Sequence, residues 1–328
     1  MRLFRHYAPL PADATGAVLA LGNFDGVHRG HGTVIAAAGA IARELGAPHG
    51  VLSFEPHPRQ VFRPDDPPFR LTPLRVKARE LEALGADLLF SLHFDMEFAQ
   101  RSAENFVTEI LVGALRVRHV VVGYDFVFGR GRAGTVAFLQ EMGARHGFGV
   151  KVIEPVADAG TADAETEVIS STRVREHLMA GRPADAARLL GRFWEIDGRV
   201  EHGDQRGRTI GFPTANLMLG EYLRPAAGVY AVRAGIEHEH QTDWYGAVAN
   251  IGTRPTVGGT DLRLEVHLFD FSGDLYGAHL RVALIDYLRP ERKFASFDEL
   301  KQQITADAAQ ARTIYARFIH AHQWMPDR

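Results

Sequence analysis

The sequence predicts an α/β protein in two parts. A parallel sheet with helices on both faces comes first, and an antiparallel sheet or small barrel ending in a helix comes second. Three observations predict this. Short β-branched runs alternate with helical patterns through the first half of the chain. From Phe193 onward, strand patterns follow one another with only turns rich in Gly, Asp and Pro between them. The last patterned stretch, Ser296–His320, has helical spacing. Strands alternating with helices imply parallel pairing, whereas closely spaced strands imply antiparallel pairing. The length of 328 residues agrees with two domains of roughly 100–200 residues each.

In chain order, the strand patterns of the first part are Gly16–Leu21, Gly50–Phe54, Ala86–Leu92, Arg118–Gly123 and Val150–Val156. Helical patterns separate them at Thr33–Leu45, Leu74–Leu84, Ala103–Leu115 and Thr135–His146. Two short helices are expected between Ile169 and Leu190, broken at Gly181 and Pro183. The boundary is placed at Arg182, giving domains 1–182 and 183–328. The second part carries strands at Trp194–Val200, Gly228–Ala234, Trp244–Val248, Arg263–Phe269 and His279–Leu288. Ser296 is positioned to cap the terminal helix, with Glu299 at the capping-box position.

Composition narrows the function classes. Lys plus Arg number 37 against 40 Asp plus Glu, a net charge of −3, which argues against a nucleic-acid surface but leaves room for local anion sites. With no cysteine, disulfides, thiolate chemistry and Cys-bound zinc are excluded. No run approaches the roughly 18 apolar residues of a membrane helix, and the N-terminus has no apolar signal core, so a cytoplasmic protein is expected.

The stretch from Leu19 to Leu45 organises the first part. An apolar run breaks at Gly22, turns through Asn23, Phe24, Asp25 and Gly26, and enters a helical pattern near His31. A strand, a glycine-rich turn and a helix aim backbone N–H groups and a helix N-terminus at a phosphate. His28 and His31, three residues apart at the helix start, can both donate to the same anion. In a parallel sheet the segments Gly22–His31, Glu55–Arg59 and Tyr124–Arg132 would gather beyond the carboxyl ends of the strands. His238 and His240 lie in an acidic stretch and read as surface residues, and no zinc site is expected.

The string GNFDGVHRGH at positions 22–31 resembles the HxGH signature of the nucleotidyltransferase superfamily. Its longer form resembles the adenylyltransferase module of bacterial bifunctional riboflavin kinase/FAD synthetases. Phe54–Pro58 (FEPHP), Val122–Gly129 (VGYDFVFG) and Ile169–Arg175 (ISSTRVR) match that family in order. Thr135 and Gly32 depart from its pattern. The resemblance implies a Rossmann-like nucleotidyltransferase domain in which FMN attacks the α-phosphorus of ATP and pyrophosphate leaves. It assigns His28 and His31 to catalysis, and Gly22, Asn23, Phe24, Asp25, Asp125, Ser170, Ser171, Thr172, Arg173 and Arg175 to the nucleotide. Pro56, His57 and Pro58 are implied on the flavin side, with Phe62 and Phe128 as stacking candidates. Both phenylalanines read equally well as core.

Residues 203–216 (GDQRGRTIGFPTAN) resemble the phosphate flap and PTAN segment of riboflavin kinases. The resemblance implies that Gly203, Gly207 and Arg208 hold ATP, that Thr214 and Asn216 hold Mg²⁺, and that Asn250 and Arg254 lie beside the flavin. Glu265 is the matching base for the riboflavin hydroxyl. Alternation places Leu262, Leu264, Val266 and Leu268 on one strand face and Arg263, Glu265 and His267 on the other. A solvated strand carboxylate fits that alternation equally. The expected activity is ATP-dependent conversion of riboflavin to FMN and of FMN to FAD, with no nucleic-acid or membrane partner. A monofunctional nucleotidyltransferase with a flavin-binding, non-catalytic barrel is the first alternative, and a flavin or nucleotide sensor the second. The sequence leaves assembly into a homo-oligomer open.

Overall fold

The four inner strands of the first part are buried on both faces, which is why they read as unbroken apolar runs. In the computed structural model, which describes residues 1–158, 167–202, 211–239, 241–256 and 259–320, six strands form one all-parallel sheet. They are β1 (Arg2–Phe4), β2 (Val18–Leu21), β3 (His49–Glu55), β4 (Leu88–His93), β5 (His119–Gly123) and β6 (Gly149–Ile153), in the spatial order β1-β4-β3-β2-β5-β6. Val18, Ala20, Val51, Leu89 and Val121 pack against Val34, Ile35 and Ala38 of helix α1 (Arg29–Leu45) and Leu81 of α3 (Leu74–Ala83). Leu19, Leu21, Leu52 and Phe90 pack on the opposite face. Their partners there are Phe106, Val107 and Ile110, which lie in a π-helical stretch (Phe106–Ala114), and Leu139 and Met142 of α6 (Val136–His146). Short helices α2 (Pro58–Phe62), α4 (Met96–Ala99) and α5 (Ala103–Asn105) complete the connections.

Several boundaries differ from the sequence expectation for identifiable reasons. Helix α1 begins at Arg29, ahead of the expected Thr33, because Gly30 and Gly32 hide the apolar periodicity of its first turn. It stops at Gly46, which takes a left-handed φ of 56°. The helix expected over Ala103–Leu115 is α5 running into the wider π turns, where Leu115 N–H bonds the Ile110 carbonyl at 2.8 Å. Thr135, atypical by the family pattern, accepts from Phe138 N–H and caps α6. Strand β1 is three residues long with two exposed side chains, too little for a periodic signal. A small antiparallel pair, β7 (Ala157–Asp158) with β8 (Glu167–Val168), precedes helices α7 (Ser171–Met179) and α8 (Pro183–Leu190).

Two compact units emerge. The first holds Met1–Pro67 and Thr72–Ser170, and the second holds Pro68–Leu71 and the chain from Ser171 onward. Helix α7, which lies before the expected Arg182 boundary, therefore clusters with the second unit, as α8 does. So does the short segment ahead of Thr72. In that unit Arg70 is fully buried and reaches Glu221 at 3.3 Å, while Trp194 Nε1 donates to the Leu71 carbonyl at 2.8 Å.

The second unit is an antiparallel sheet of β9 (Glu195–Arg199), β10 (Ala215–Met218), β11 (Gly228–Glu237), β12 (Thr242–Thr256), β13 (Gly259–Leu268) and β14 (His279–Arg289). Their spatial order is β10-β13-β12-β11-β14-β9. Just past β9, Glu201 N–H donates to the Asn216 carbonyl at 2.8 Å, so the two edges meet and the sheet curls toward a barrel. Strand β10 was not expected from the sequence, since its four residues follow a glycine- and proline-rich stretch.

Helix α9 (Phe297–His320) lies on the outer face of this sheet, with Ala308 and Ala311 against Val229, Ala231 and Val248. Ser296 accepts from Glu299 N–H as expected, but Glu299 reaches back to Ala295 N–H and leaves the capping box one residue out of step. Asp307 is buried under the Arg289 guanidinium, with contacts of 2.7–3.1 Å, and also accepts from Gln303 at 2.7 Å. Gly246 on β12 lies beneath the Tyr315 ring, where a Cβ would collide with the ring carbons. Gly246→Ala is expected to lift that ring and destabilise the second unit by about 1–3 kcal/mol in urea unfolding.

Candidate functional site

Strand order creates the first site. The chain runs from β2 outward to β3 on one side and returns to place β5 on the other. The crevice beyond the carboxyl ends of β2 and β5 is therefore the switch point of the sheet. Into it run the Gly22–His28 turn and the Tyr124–Arg132 loop, both in the first unit.

The turn is held against its backbone preference. Phe24 and Val27 have φ of 49° and 42°, and Gly26 of 90°. For the β-branched Val27 that is an outlying conformation, of the kind found where the surroundings over-determine a functional loop. Those surroundings are the entry to α3. Asp25, buried, accepts from Thr72 N–H at 3.0 Å, and the Thr72 hydroxyl accepts from Gly26 N–H at 2.8 Å. The Asp25 carboxylate thus braces the turn from within through Thr72.

His28 caps α1, its Nδ1 accepting from His31 N–H at 3.2 Å. With Nδ1 an acceptor, the ring proton sits on Nε2, which then donates. The His28 and His31 rings stack at 3.6 Å, and Phe24 meets His31 edge-on at 5.2 Å. Gly30 leaves room for this arrangement, since a Cβ there would press on the His28 ring at 3.2 Å. The two imidazoles are thereby fixed as a parallel pair at a helix N-terminus. Charging both would cost the cap and set like charges face to face. The arrangement suits neutral N–H donation to an anion.

The remaining first-unit candidates divide. Gly22 abuts the Phe24 ring, and Asn23 is exposed with its carbonyl accepting from Ser53 at 3.1 Å. Asp125 is exposed in the β5 loop beside Gly123. Pro56 follows β3, and His57 caps α2, accepting from Arg59 N–H at 3.1 Å while Gln60 accepts from His57 N–H, with Pro58 as the first helical residue. Phe62 is 56% exposed and meets the Phe94 ring edge-on at 5.7 Å. Phe128 is a core residue, stacked on Phe126 at 5.5 Å and packed on Phe106 and Phe138. Its burial removes the stacking face that the flavin role requires. Ser170 ends the first unit.

In the second unit, Ser171 and Thr172 begin α7, and Arg173 pairs with Glu176 at 2.6 Å on its exposed side. Arg175 Nε donates to the Phe69 carbonyl at 2.9 Å, and its guanidinium lies over the Phe69 ring.

The second site is a row across three strands. Asn216 of β10 pairs directly with Glu265 of β13, which pairs directly with Asn250 of β12. Residues directly opposite in antiparallel strands share a face. Ala215, Leu217, Leu264 and Val266 point the other way and are buried, which is the alternation read from the sequence. Glu265 is exposed between a buried Asn216 and a half-buried Asn250 whose Nδ2 donates to Glu291 at 3.1 Å. Thr214 is two residues from Asn216, and its carbonyl accepts from the Asn216 amide at 3.4 Å. His267, on the Glu265 face, holds the preceding segment through the Pro213 carbonyl at 2.8 Å and the Phe212 ring at 5.1 Å. Gly203, Gly207 and Arg208 lie outside the described residues, as does His240. Arg254 stands in β12 opposite Asp261, with only its backbone described.

Two features escaped the sequence reading. Glu291 reaches Asn250 from a loop 41 residues away. Asp197, Glu237 and His279 bring their ligand atoms within 4.8 Å of one another from three strands, with His279 Nδ1 2.8 Å from Asp197, an arrangement that an ion pair explains. Neither has a local motif. Among the described residues, no helix is long and apolar enough to cross a membrane.

Comparison with known proteins agrees with this geometry. A family model described as FAD synthetase matches residues 10–173, and one described as riboflavin kinase matches residues 190–315. The chain is 45% identical over 305 residues to a bifunctional riboflavin kinase/FMN adenylyltransferase of Escherichia coli strain K12, covering 93% of this chain and 94% of that one. To the protein of the same description from Pseudomonas fluorescens it is 43% identical, with 98% and 100% covered. A crystal structure described as a macrolide-efflux protein from Streptococcus pneumoniae superposes with a TM-score of 0.82 at 32% identity, over 95% of this chain and 98% of that one. A parallel-sheet unit with a paired-histidine helix start and a barrel with a carboxylate between two asparagines are thus the two halves of one enzyme: the chain belongs to the bifunctional riboflavin kinase/FMN adenylyltransferase family.

Proposed function

We propose that the barrel phosphorylates riboflavin at the Asn216–Glu265–Asn250 row and that the parallel-sheet unit adenylylates FMN at the start of α1. The observation that carries this reading is the register that sets Glu265 directly opposite Asn216. Glu265 takes the proton of the riboflavin 5′-hydroxyl as its oxygen bonds to the γ-phosphorus of ATP and ADP departs. Being exposed, this carboxylate is reachable by substrate. Thr214 and Asn216 offer the hard oxygen donors that suit Mg²⁺, with Glu265 alongside, and Asn216 is held in place by its burial. When bound, Mg²⁺ neutralises charge on the ATP phosphates. Gly203, Gly207 and Arg208 would cover those phosphates, and Asn250 and Arg254 would lie on the flavin side.

In the other unit, a phosphate oxygen of FMN bonds to the α-phosphorus of ATP and pyrophosphate leaves. His28 donates through Nε2 and His31 adds a second donor, both stabilising charge that develops on the α-phosphate oxygens. Gly22, Asn23, Phe24, Asp25 and Asp125 shape the nucleotide pocket. Ser170, Ser171, Thr172, Arg173 and Arg175 keep the phosphate-binding role that the resemblance implies. Pro56, His57, Pro58 and the exposed Phe62 form the flavin side. We place the working domains at 1–182 and 183–328 and the enzyme in the cytoplasm. Self-assembly is tested by light scattering of the full chain.

Glu265→Gln is expected to lower FMN formation from riboflavin roughly 10²–10⁴-fold while FAD formation from supplied FMN continues. Products are separated chromatographically. The reciprocal change, His28→Ala with His31→Ala, is expected to cut FAD formation by at least about 10²-fold and leave FMN formation standing. Loss of both reactions in a folded variant of either kind would refute the assignment.

A further inference from the structure

Lys77 is a lysine where none is needed for solubility. It lies in α3 with its side chain 1% exposed, in the first unit and outside the motif strings in sequence. Burying an ammonium is costly unless it is paired and hydrogen-bonded. Its partners include the Ser53 hydroxyl at 3.3 Å and Glu55 at 3.9 Å, both on β3. Ser53, itself buried, in turn donates to the carbonyl of Asn23 in the strained turn, at 3.1 Å.

The chemistry of the groups gives this relay a direction. An ammonium has donors and no acceptor, so Ser53 must accept from Lys77 and spend its single hydrogen on Asn23. The Asn23 carbonyl is thereby drawn toward β3. The Asn23–Phe24 peptide is trans, and in a trans unit the carbonyl and the next N–H point in opposite directions. Drawing the carbonyl to Ser53 therefore aims the Phe24 N–H away from the sheet, on the opposite side of the turn. On the α3 side, Thr72 already takes Gly26 N–H and donates its own N–H to Asp25. The turn is braced underneath by Thr72 and Ser53, with Lys77 behind the second brace.

We propose that Lys77 is a positioning residue for adenylyl transfer, acting through Ser53 to fix the Asn23–Phe24 peptide of the nucleotide turn. This rests on the reading of that turn as the nucleotide site. A lysine kept only for stability behaves differently, since replacing a buried charge by an apolar side chain of similar length is often neutral or stabilising while Glu55, partly exposed, stays solvated.

The test uses the full chain carrying Lys77→Met, Ser53→Ala or both, with FMN and Mg·ATP as substrates and pyrophosphate release as the readout. Lys77→Met is expected to lower kcat for FAD formation about 10²-fold, the effect of a small misplacement of a reacting group, with KM for ATP changing much less. Ser53→Ala is expected to fall similarly, and the double variant no further, because both act through one peptide. A kcat within about threefold of the unchanged protein for Lys77→Met, or losses that multiply in the double variant, would overturn the proposal. If Lys77→Met does not fold by circular dichroism, Ser53→Ala alone decides by the same kcat criterion. The His28→Ala, His31→Ala variant is assayed beside them: full FAD formation there would refute the site itself, whatever Lys77 does.

Discussion

A single hydrogen bond at the start of α1, from His31 N–H to His28 Nδ1, sets the geometry of the helix start in the first unit. It satisfies an amide that a helix start leaves unpaired, and it decides which nitrogen of His28 carries the proton. The stacked His31 ring and the absence of a Cβ at Gly30 then follow as packing requirements. The left-handed residues at 24 and 27 are the cost of bringing the chain from β2 into that helix with the ring in place. The brace at Thr72 offsets this cost, which explains why the entry to α3, far along the chain, matters to the turn.

The second unit reaches precision by a different route. Its candidate carboxylate, Glu265, is not at a helix start but in the middle of a strand, where cross-strand register fixes neighbours on both sides. A slip of one residue in β13 would turn Glu265 into the buried face and expose Leu264 or Val266. The apolar alternation that stabilises the sheet therefore also aims the site. Helix α9 adds to this by clamping the outer face through Asp307 and Arg289, so that the strands carrying the row are held on a rigid support.

Much of this was legible in advance because the signals are local. The strand–turn–helix of residues 19–45 and the alternation over residues 262–268 each lie within one short window, and both indicate the end or face on which the candidate groups stand. What could not be read has long-range origins. That Asp25 answers to Thr72, that Asn250 answers to Glu291 and that Lys77 stands behind Asn23 depend on topology, which no spacing in the sequence encodes. Phe128 shows the converse failure: an aromatic beside a motif is as often core as ligand surface, and only its three phenylalanine neighbours separate the two.

The two halves differ because their nucleophiles differ. The phosphate of FMN is already an anion at neutral pH, so adenylyl transfer calls for donors that accept growing charge and not for a base. The first unit matches that demand, since its Asp25 carboxylate is buried against Thr72 while two imidazoles occupy the helix start. The hydroxyl of riboflavin is neutral and must lose a proton as it attacks, so phosphorylation calls for an accessible carboxylate. The second unit matches that demand, exposing Glu265 between two amide side chains that cannot protonate it. On the proposed assignment, each unit's arrangement of charge matches the protonation state of the oxygen it activates.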